Sequence, residues 1–282
     1  MKLIRYGEPG KEKTGIALGD KYYDTAAFGQ DYNEAFFAEE GLERLRKFVD
    51  MNNLPELNAH VRLGSPVARP SKIVCIGLNY ADHAKETGAT PPPEPVIFLK
   101  STTALAGPGD DIVIPRDSKK TDWEVELAVV IKKRASYITE QEAPDFVAGY
   151  CLHNDVSERE FQLERSGTWD KGKGCDTFAP IGPWMATPDE IKDIGRLRLW
   201  LTVNGRIMQD GTTANLIFNI PFLISYTSRF MTLLPGDIIS TGTPAGVGMG
   251  MKPSQYLQPG DVIELGIDGL GMAKQHVVEY KR

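Results

Sequence analysis

The sequence predicts a β-rich α+β fold. Many short apolar, β-branched runs are punctuated by Gly and Pro, helical periodicities are few, and strands do not alternate regularly with full helices as in a doubly wound parallel sheet. The candidate strands, in chain order, are Lys72–Ile76, Val96–Leu99, Asp111–Ile114, Glu124–Ile131, Phe146–His153, Ile181–Met185, Leu197–Val203, Asp237–Ser240, Asp261–Ile267 and Met272–Tyr280. The candidate helices are Ala81–Thr87, Ser157–Arg165, Pro188–Ile191 and Ile220–Thr232. Residues 1–66 read differently, as short strand-like pieces and one charged helix near Tyr32–Met51, where Leu42, Leu45, Phe48 and Val49 fall at helical spacing. Pro66-Val67-Ala68-Arg69-Pro70 reads as a linker, because proline ends regular structure. It separates a small N-terminal domain, 1–66, from a larger domain, 67–282.

Composition narrows the function classes. Hydrophobic residues at 41% and charged residues at 25% over 282 positions are the balance of an ordinary globular protein. A net charge of −6 leaves no excess of Lys and Arg to track phosphates, which argues against nucleic-acid binding. No apolar run approaches the roughly 20 residues that span a bilayer, and Met1–Gly7 lacks the apolar core of a signal peptide. Cys75, Cys151 and Cys175 are odd in number and widely spaced, so they suggest free thiols in a reducing cytoplasm rather than a disulfide framework or a zinc site.

The most informative stretch is Trp123-Glu124-Val125-Glu126-Leu127-Ala128-Val129-Val130-Ile131. In a strand, Trp123, Val125, Leu127 and Val129 share one face, and Glu124, Glu126, Ala128 and Val130 share the other. That second face turns apolar after two residues, which aims both acids into a partly buried site. Neighbouring carboxylates in low dielectric need a shared proton, a cationic partner or a metal such as Mg²⁺. Read alone, the pair also fits two exposed acids on an edge strand.

Four further groups could carry chemistry. Asp155 follows an apolar strand and could complete a three-carboxylate shell, or serve a local turn. After it, Ser157 with Glu160 reads as a capping box, and Arg159 with Gln162 share one helix face. His83 and Glu86 lie one helical turn apart before a Gly88 C-cap, as a base and the acid that orients it, or as a plain surface pair. Trp169-Asp170-Lys171-Gly172-Lys173-Gly174 presents a mobile lysine able to stabilise developing negative charge, or a solvated loop. Ser240-Thr241-Gly242-Thr243-Pro244-Ala245-Gly246-Val247-Gly248 is a glycine-rich turn whose N–H groups can form an anion nest, with a carboxylate as the better candidate ligand than a nucleotide.

The order Ile76-Gly77-Leu78-Asn79-Tyr80-x-x-His83-x-x-Glu86, Pro95-Val96-Ile97-Phe98-Leu99-Lys100, Glu124-x-Glu126, Asp155 and Thr241-Gly242-Thr243-Pro244-x-Gly246-Val247-Gly248 resembles the fumarylacetoacetate hydrolase superfamily over roughly residues 70–282. The resemblance implies a mixed β-sandwich roll of the fumarylacetoacetate hydrolase type with a small N-terminal domain, a homodimer, and Mg²⁺ or Mn²⁺ at the site. Carried over residue by residue, it implies Glu124, Glu126 and Asp155 as metal ligands. It implies His83 and Glu86 as the water-activating dyad, on a segment that becomes ordered over the substrate, and Lys173 as a catalytic lysine. Lys100, Arg159, Gln162 and Thr243 are implied to line the substrate pocket.

Within the superfamily the chain looks most like the branch acting on 2,4-diketo-3-deoxy sugar acids and other acylpyruvates, whose relatives are often labelled ureidoglycolate lyase. The expected activity is metal-dependent hydrolysis of the C3–C4 bond of a keto-acid substrate, giving pyruvate and a second acid. The alternatives are an oxaloacetate decarboxylase, an isomerase or lyase with the same acids, or a keto-acid-binding protein without turnover.

Overall fold

The computed structural model describes residues 1–88 and 90–281. Two large sheets, two small two-stranded pairs and few helices make up the described residues, as the strand-rich pattern predicts. The larger sheet runs Lys21–Asp24, Lys13–Leu18, Lys2–Tyr6, Met185–Ala186, Val147–Asn154, Val125–Ile131, Ile238–Ser240, Ile73–Gly77, Val96–Lys100, with Leu63–Gly64 also paired to Lys2–Tyr6. Its pairs are antiparallel except Ile238–Ser240 with Ile73–Gly77. The smaller sheet runs Arg206–Thr212, Arg198–Val203, Val262–Ile267, Gly271–Glu279, Ile112–Ile114.

Strand Val125–Ile131 sits near the middle of the larger sheet and is buried along its whole length. One face packs on Arg198–Val203 and Val262–Ile267 of the smaller sheet. Leu127, Val129, Leu199, Leu201, Ile263 and Leu265 belong to one continuous core. The opposite face carries Glu124 and Glu126, so the apolar face that holds the sheets together also fixes where the acids point. Pairing within the larger sheet is continuous from the N-terminal strands into the rest, through Lys2↔Ala186 and Leu3↔Met185. The stretch Pro66–Ala68 that separates them in sequence is buried.

Several elements differ from expectation. The helix expected near Tyr32–Met51 is two, Glu34–Ala38 and Gly41–Met51, because Glu40 adopts a left-handed conformation (φ 55°) between them. The expected strand Ile181–Met185 shrinks to Met185–Ala186, since Pro183 has no N–H for the ladder. The expected helix from Ser157 begins at Arg159. Ser157–Glu158 is instead a short strand paired with Thr121–Asp122, and Glu158, not Ser157, caps the helix by accepting from Glu160 N. Strand Arg206–Thr212 was not anticipated, because its fully buried residue, Gln209, is polar while the apolar Ile207 faces outward. The signal was present in Asn204-Gly205, whose positive φ values (51° and 75°) make the two-residue hairpin turn.

That overlooked strand places Gln209, fully buried, between the sheets. Its Oε1 accepts from Val125 N (2.9 Å), and its Nε2 donates to Thr243 Oγ1 and Pro244 O (both 2.8 Å). One amide therefore ties the acid-bearing strand to the turn that follows Ser240. Gln209→Ala strands these buried polar groups and is expected to lower stability by about 1–3 kcal/mol. The check is urea unfolding, where an unchanged midpoint would refute the role.

Candidate active site

The register of the central strands assembles the acids. Val125 pairs with Asn154 and Glu126 with His153, and Asp155 N donates to Glu124 O (2.9 Å). This brings Asp155 beside the E-x-E pair. Glu124, Glu126 and Asp155 each offer an oxygen within 4.8 Å of the others, and all three side chains are buried.

Buried like charges at this spacing require compensation, and three cations supply it. Lys173 Nζ bridges Glu124 Oε2 (2.7 Å) and Asp155 Oδ2 (2.9 Å). Lys100 Nζ donates to Asp155 Oδ1 (2.5 Å) and Val156 O (3.0 Å). Arg159 donates from Nη2 to Glu124 Oε1 (2.7 Å), from Nε to Asp122 Oδ2 (2.9 Å) and from Nη1 to Gln162 Oε1 (3.0 Å). Burial alone would raise the Asp155 carboxyl, but Lys100 and Lys173 outweigh it and hold it below the ordinary range. Glu124 is likewise held low by Lys173 and Arg159 against the same penalty.

Glu126 is the exception. It accepts from Ser240 Oγ (2.5 Å) and Gly242 N (3.0 Å) but makes no ion pair among the described residues. Burial, then the charges of Asp155 and Glu124, push it well above the usual carboxylate range. A hard divalent cation on this three-oxygen set would relieve that penalty, so the residues present fit Mg²⁺ or Mn²⁺.

A cavity of ≈ 200 Å³ opens beside the acids. Glu124, Glu126, Lys173, Arg159, Gln162, Thr243 and His83 line it together with Leu78, Phe98, Leu163, Trp169 and Met249. His83 Nδ1 lies 3.5 Å from Glu86 Oε2, so the dyad reaches the acids' cavity. Lys100 stands behind Asp155 and does not line this wall. The Thr243 hydroxyl is engaged, donating to Val125 O (2.9 Å) and accepting from Gln209. Lys173 is neither mobile nor solvated. It ends the short helix Asp170–Lys173 at 1% exposure, where Asp155 and Glu124 overcome the burial penalty and keep it charged.

The glycine-rich turn does bind carboxylates, but they are the chain's own. Gly242 N takes Glu126, Gly246 N takes both oxygens of Glu86 (3.0 Å each), and Gly248 N and Met249 N take Asp122 (2.7 and 2.9 Å). No side chain fits at Gly246 (φ 107°), where a Cβ would lie 1.9 Å from Met208 O. Sequence reasoning missed Asp122, two residues before Glu124, although an acid next to an E-x-E strand was visible. It also missed Ser240, which holds Glu126, and His153, whose Nδ1 contacts Ser240 Oγ (2.7 Å) and which burial keeps neutral by lowering its pKa to about 3. Leu78 is a further surprise. It is held at φ 54°, a conformation costing about 1–3 kcal/mol, by the buried Asn79, which bonds Thr241 O, Phe218 O and Phe218 N.

Asp122→Ala should leave Arg159 half-paired and three amides, of Trp123, Gly248 and Met249, without this acceptor, lowering stability by about 3–5 kcal/mol. Denaturant unfolding would test this, and a loss under about 1 kcal/mol would mean the pair is dispensable.

Comparison with known proteins is consistent with this architecture. The model of the fumarylacetoacetate (FAA) hydrolase C-terminal family matches residues 72–278. A protein of Burkholderia cenocepacia, named as a hydrolase without a stated substrate, is 52% identical over 273 residues, covering 96% of each chain. The fumarylacetoacetate hydrolase structure from Exiguobacterium antarcticum is 34% identical with a TM-score of 0.86, covering 99% of this chain and 100% of that one. Maleylpyruvate hydrolase from Sphingobium sp. SYK-6, solved with manganese(II) and pyruvate, is 31% identical with a TM-score of 0.84 over the whole of both chains. The chain belongs to the fumarylacetoacetate hydrolase family.

Proposed function

We propose that this chain is a divalent-metal-dependent hydrolase that cleaves the C3–C4 bond of a 2,4-diketo acid, an acylpyruvate or a 2,4-diketo-3-deoxy sugar acid, to pyruvate and a second carboxylic acid. The observation that carries the reading is the buried Glu124, Glu126 and Asp155 cluster, whose two glutamates line one cavity with His83 and Lys173. The related maleylpyruvate hydrolase, with manganese and pyruvate in its structure, supports a metal and a pyruvyl product.

When bound by these acids, a divalent cation supplies Lewis acidity toward a 2-oxo carboxylate. His83, with Glu86 on its Nδ1, takes a proton from water, and the oxygen adds to the C4 carbonyl. An ammonium has three donors. Glu124 and Asp155 take two from Lys173, and the third serves the oxyanion. The C3–C4 bond then breaks, its electron pair passes to C3, and protonated His83 returns the proton there. Glu86 stabilises the imidazolium between these steps, and the Gly246 amide keeps Glu86 in place.

Oxaloacetate decarboxylation is the second reading, since it uses the same acids and needs no attacking water. A dyad facing the cavity favours hydrolysis. The direct test is pyruvate release from acylpyruvates, diketo sugar acids and oxaloacetate with Mg²⁺, with Mn²⁺ and with EDTA. Release from a diketo acid that EDTA abolishes is expected, and release only from oxaloacetate would move the assignment to a decarboxylase.

Two variants separate the roles. Glu126→Gln should abolish Mn²⁺ binding in calorimetry while the circular dichroism spectrum stays native, and unchanged affinity would remove Glu126 from the ligand set. His83→Ala should slow C–C hydrolysis by about 10²-fold or more with Mn²⁺ affinity intact. Turnover near wild type would exclude it as the base.

A further inference from the structure

The buried charges around the cavity limit what the substrate can carry. Asp122, Glu124, Glu126 and Asp155 face three permanent cations, Lys100, Lys173 and Arg159, through direct ion pairs or shared neighbours. The set carries one negative charge in excess. A divalent cation and one substrate carboxylate bring it to neutrality. A second substrate carboxylate would leave an uncompensated negative charge in a buried site, which low dielectric makes unfavourable. The cationic groups on the cavity wall already face acids: Lys173 faces Glu124 and Asp155, and Arg159 faces Glu124 and Asp122, while the His83 ring faces Glu86.

Depth gives the same answer by a different route. The ionic groups occupy the fully buried end of the cavity, while the part-exposed lining side chains are Leu78, Leu163, Trp169 and Met249. The Trp169 ring is fixed by contact with Phe98 (centroids 5.3 Å apart) and by Gly77, where a Cβ would lie 2.5 Å from it. Thus the outer wall offers carbon, and hydroxyls or a carboxylate placed there would lose water without gaining partners. The volume of ≈ 200 Å³ also lies below the usual range for ligand pockets, about 300–1,000 Å³.

We propose that the acyl group taken by this site is compact and uncharged and ends in apolar carbon such as a methyl group, so that the substrate is a monoanion rather than a dicarboxylate. This rests on the 2,4-diketo acid reading above. The substrate's 2-oxo carboxylate lies at the acids, and its acyl end lies against Leu78, Leu163, Trp169 and Met249.

The test is calorimetric binding to the Mn²⁺-loaded enzyme of 2-oxopentanoate and 2-oxoglutarate. These have the same carbon count, differ in a terminal methyl against a terminal carboxylate, and lack the C4 carbonyl that hydrolysis requires. The 2-oxopentanoate is expected to bind at least about tenfold tighter. Leu163→Arg adds a cation at a 46%-exposed position, where folding tolerates it, and should shift the affinity ratio toward 2-oxoglutarate by about tenfold. Equal or tighter binding of 2-oxoglutarate by the wild type would overturn this proposal and leave the hydrolase reading standing. An unmoved ratio in Leu163→Arg would overturn the placement of the acyl end. Binding of neither probe would overturn the 2-oxo acid reading and this inference with it.

Discussion

Lys173 makes the site possible. Glu124 and Asp155 come from different strands, and the sheet register forces them together beside Glu126. Without a cation between them, the cost of burial would protonate them or push the strands apart. The ammonium spans both at hydrogen-bond distance, and Lys100 and Arg159 complete the compensation from two other elements. Such networks contribute little net stability compared with an apolar core, but losing one member leaves an unpaired buried charge. The helix Asp170–Lys173, the strand Val96–Lys100 and the helix Arg159–Leu163 are therefore held in register by charge as well as by packing.

The same arrangement explains why Glu126 differs from its neighbours. Cations take up Glu124 and Asp155, whereas a hydroxyl and an amide hold Glu126, which do not neutralise it. An incoming positive ion gains most there. The strain at Leu78 belongs to this picture too. Asn79 spends its side-chain donors and acceptor on three backbone groups from two other segments, and it holds its neighbour in a costly conformation at the cavity wall.

Much of this was legible in the sequence. Alternation in Trp123–Ile131 gave the strand, its two faces and the paired acids, because strand geometry is local and its period is fixed. Asp155 was legible from its place at the end of an apolar strand. Lys173 was visible as a residue but not as an environment, since Lys-Gly-Lys-Gly looks like a solvated loop and only tertiary packing buries it. Lys100 was read toward substrate, while the fold uses it on Asp155 behind the cavity wall, and Arg159 lines the cavity as expected but is also bound to Asp122 and Glu124, a distinction that requires knowing which strands are neighbours. Ser157 failed as a cap because its backbone is drawn into pairing with Thr121–Asp122, a long-range contact that local capping preference cannot foresee. Gln209 lay hidden because this strand buries a polar side chain and exposes the apolar Ile207, the reverse of the usual alternation.

The turn from Ser240 to Met249 has spent its backbone amides on Glu126, Glu86 and Asp122. These acids belong to a strand, to the helix carrying His83 and to the short pair beside Arg159. Gly246, between them, has no room even for a methyl group. The length of this turn is consequently fixed. One added or deleted residue would break the spacing among three carboxylates at once, whereas the exposed stretch from Leu163 to Thr168 makes few such commitments and can absorb insertions. Variation in chain length among proteins built on this plan should therefore collect around the cavity mouth and spare the turn beneath it.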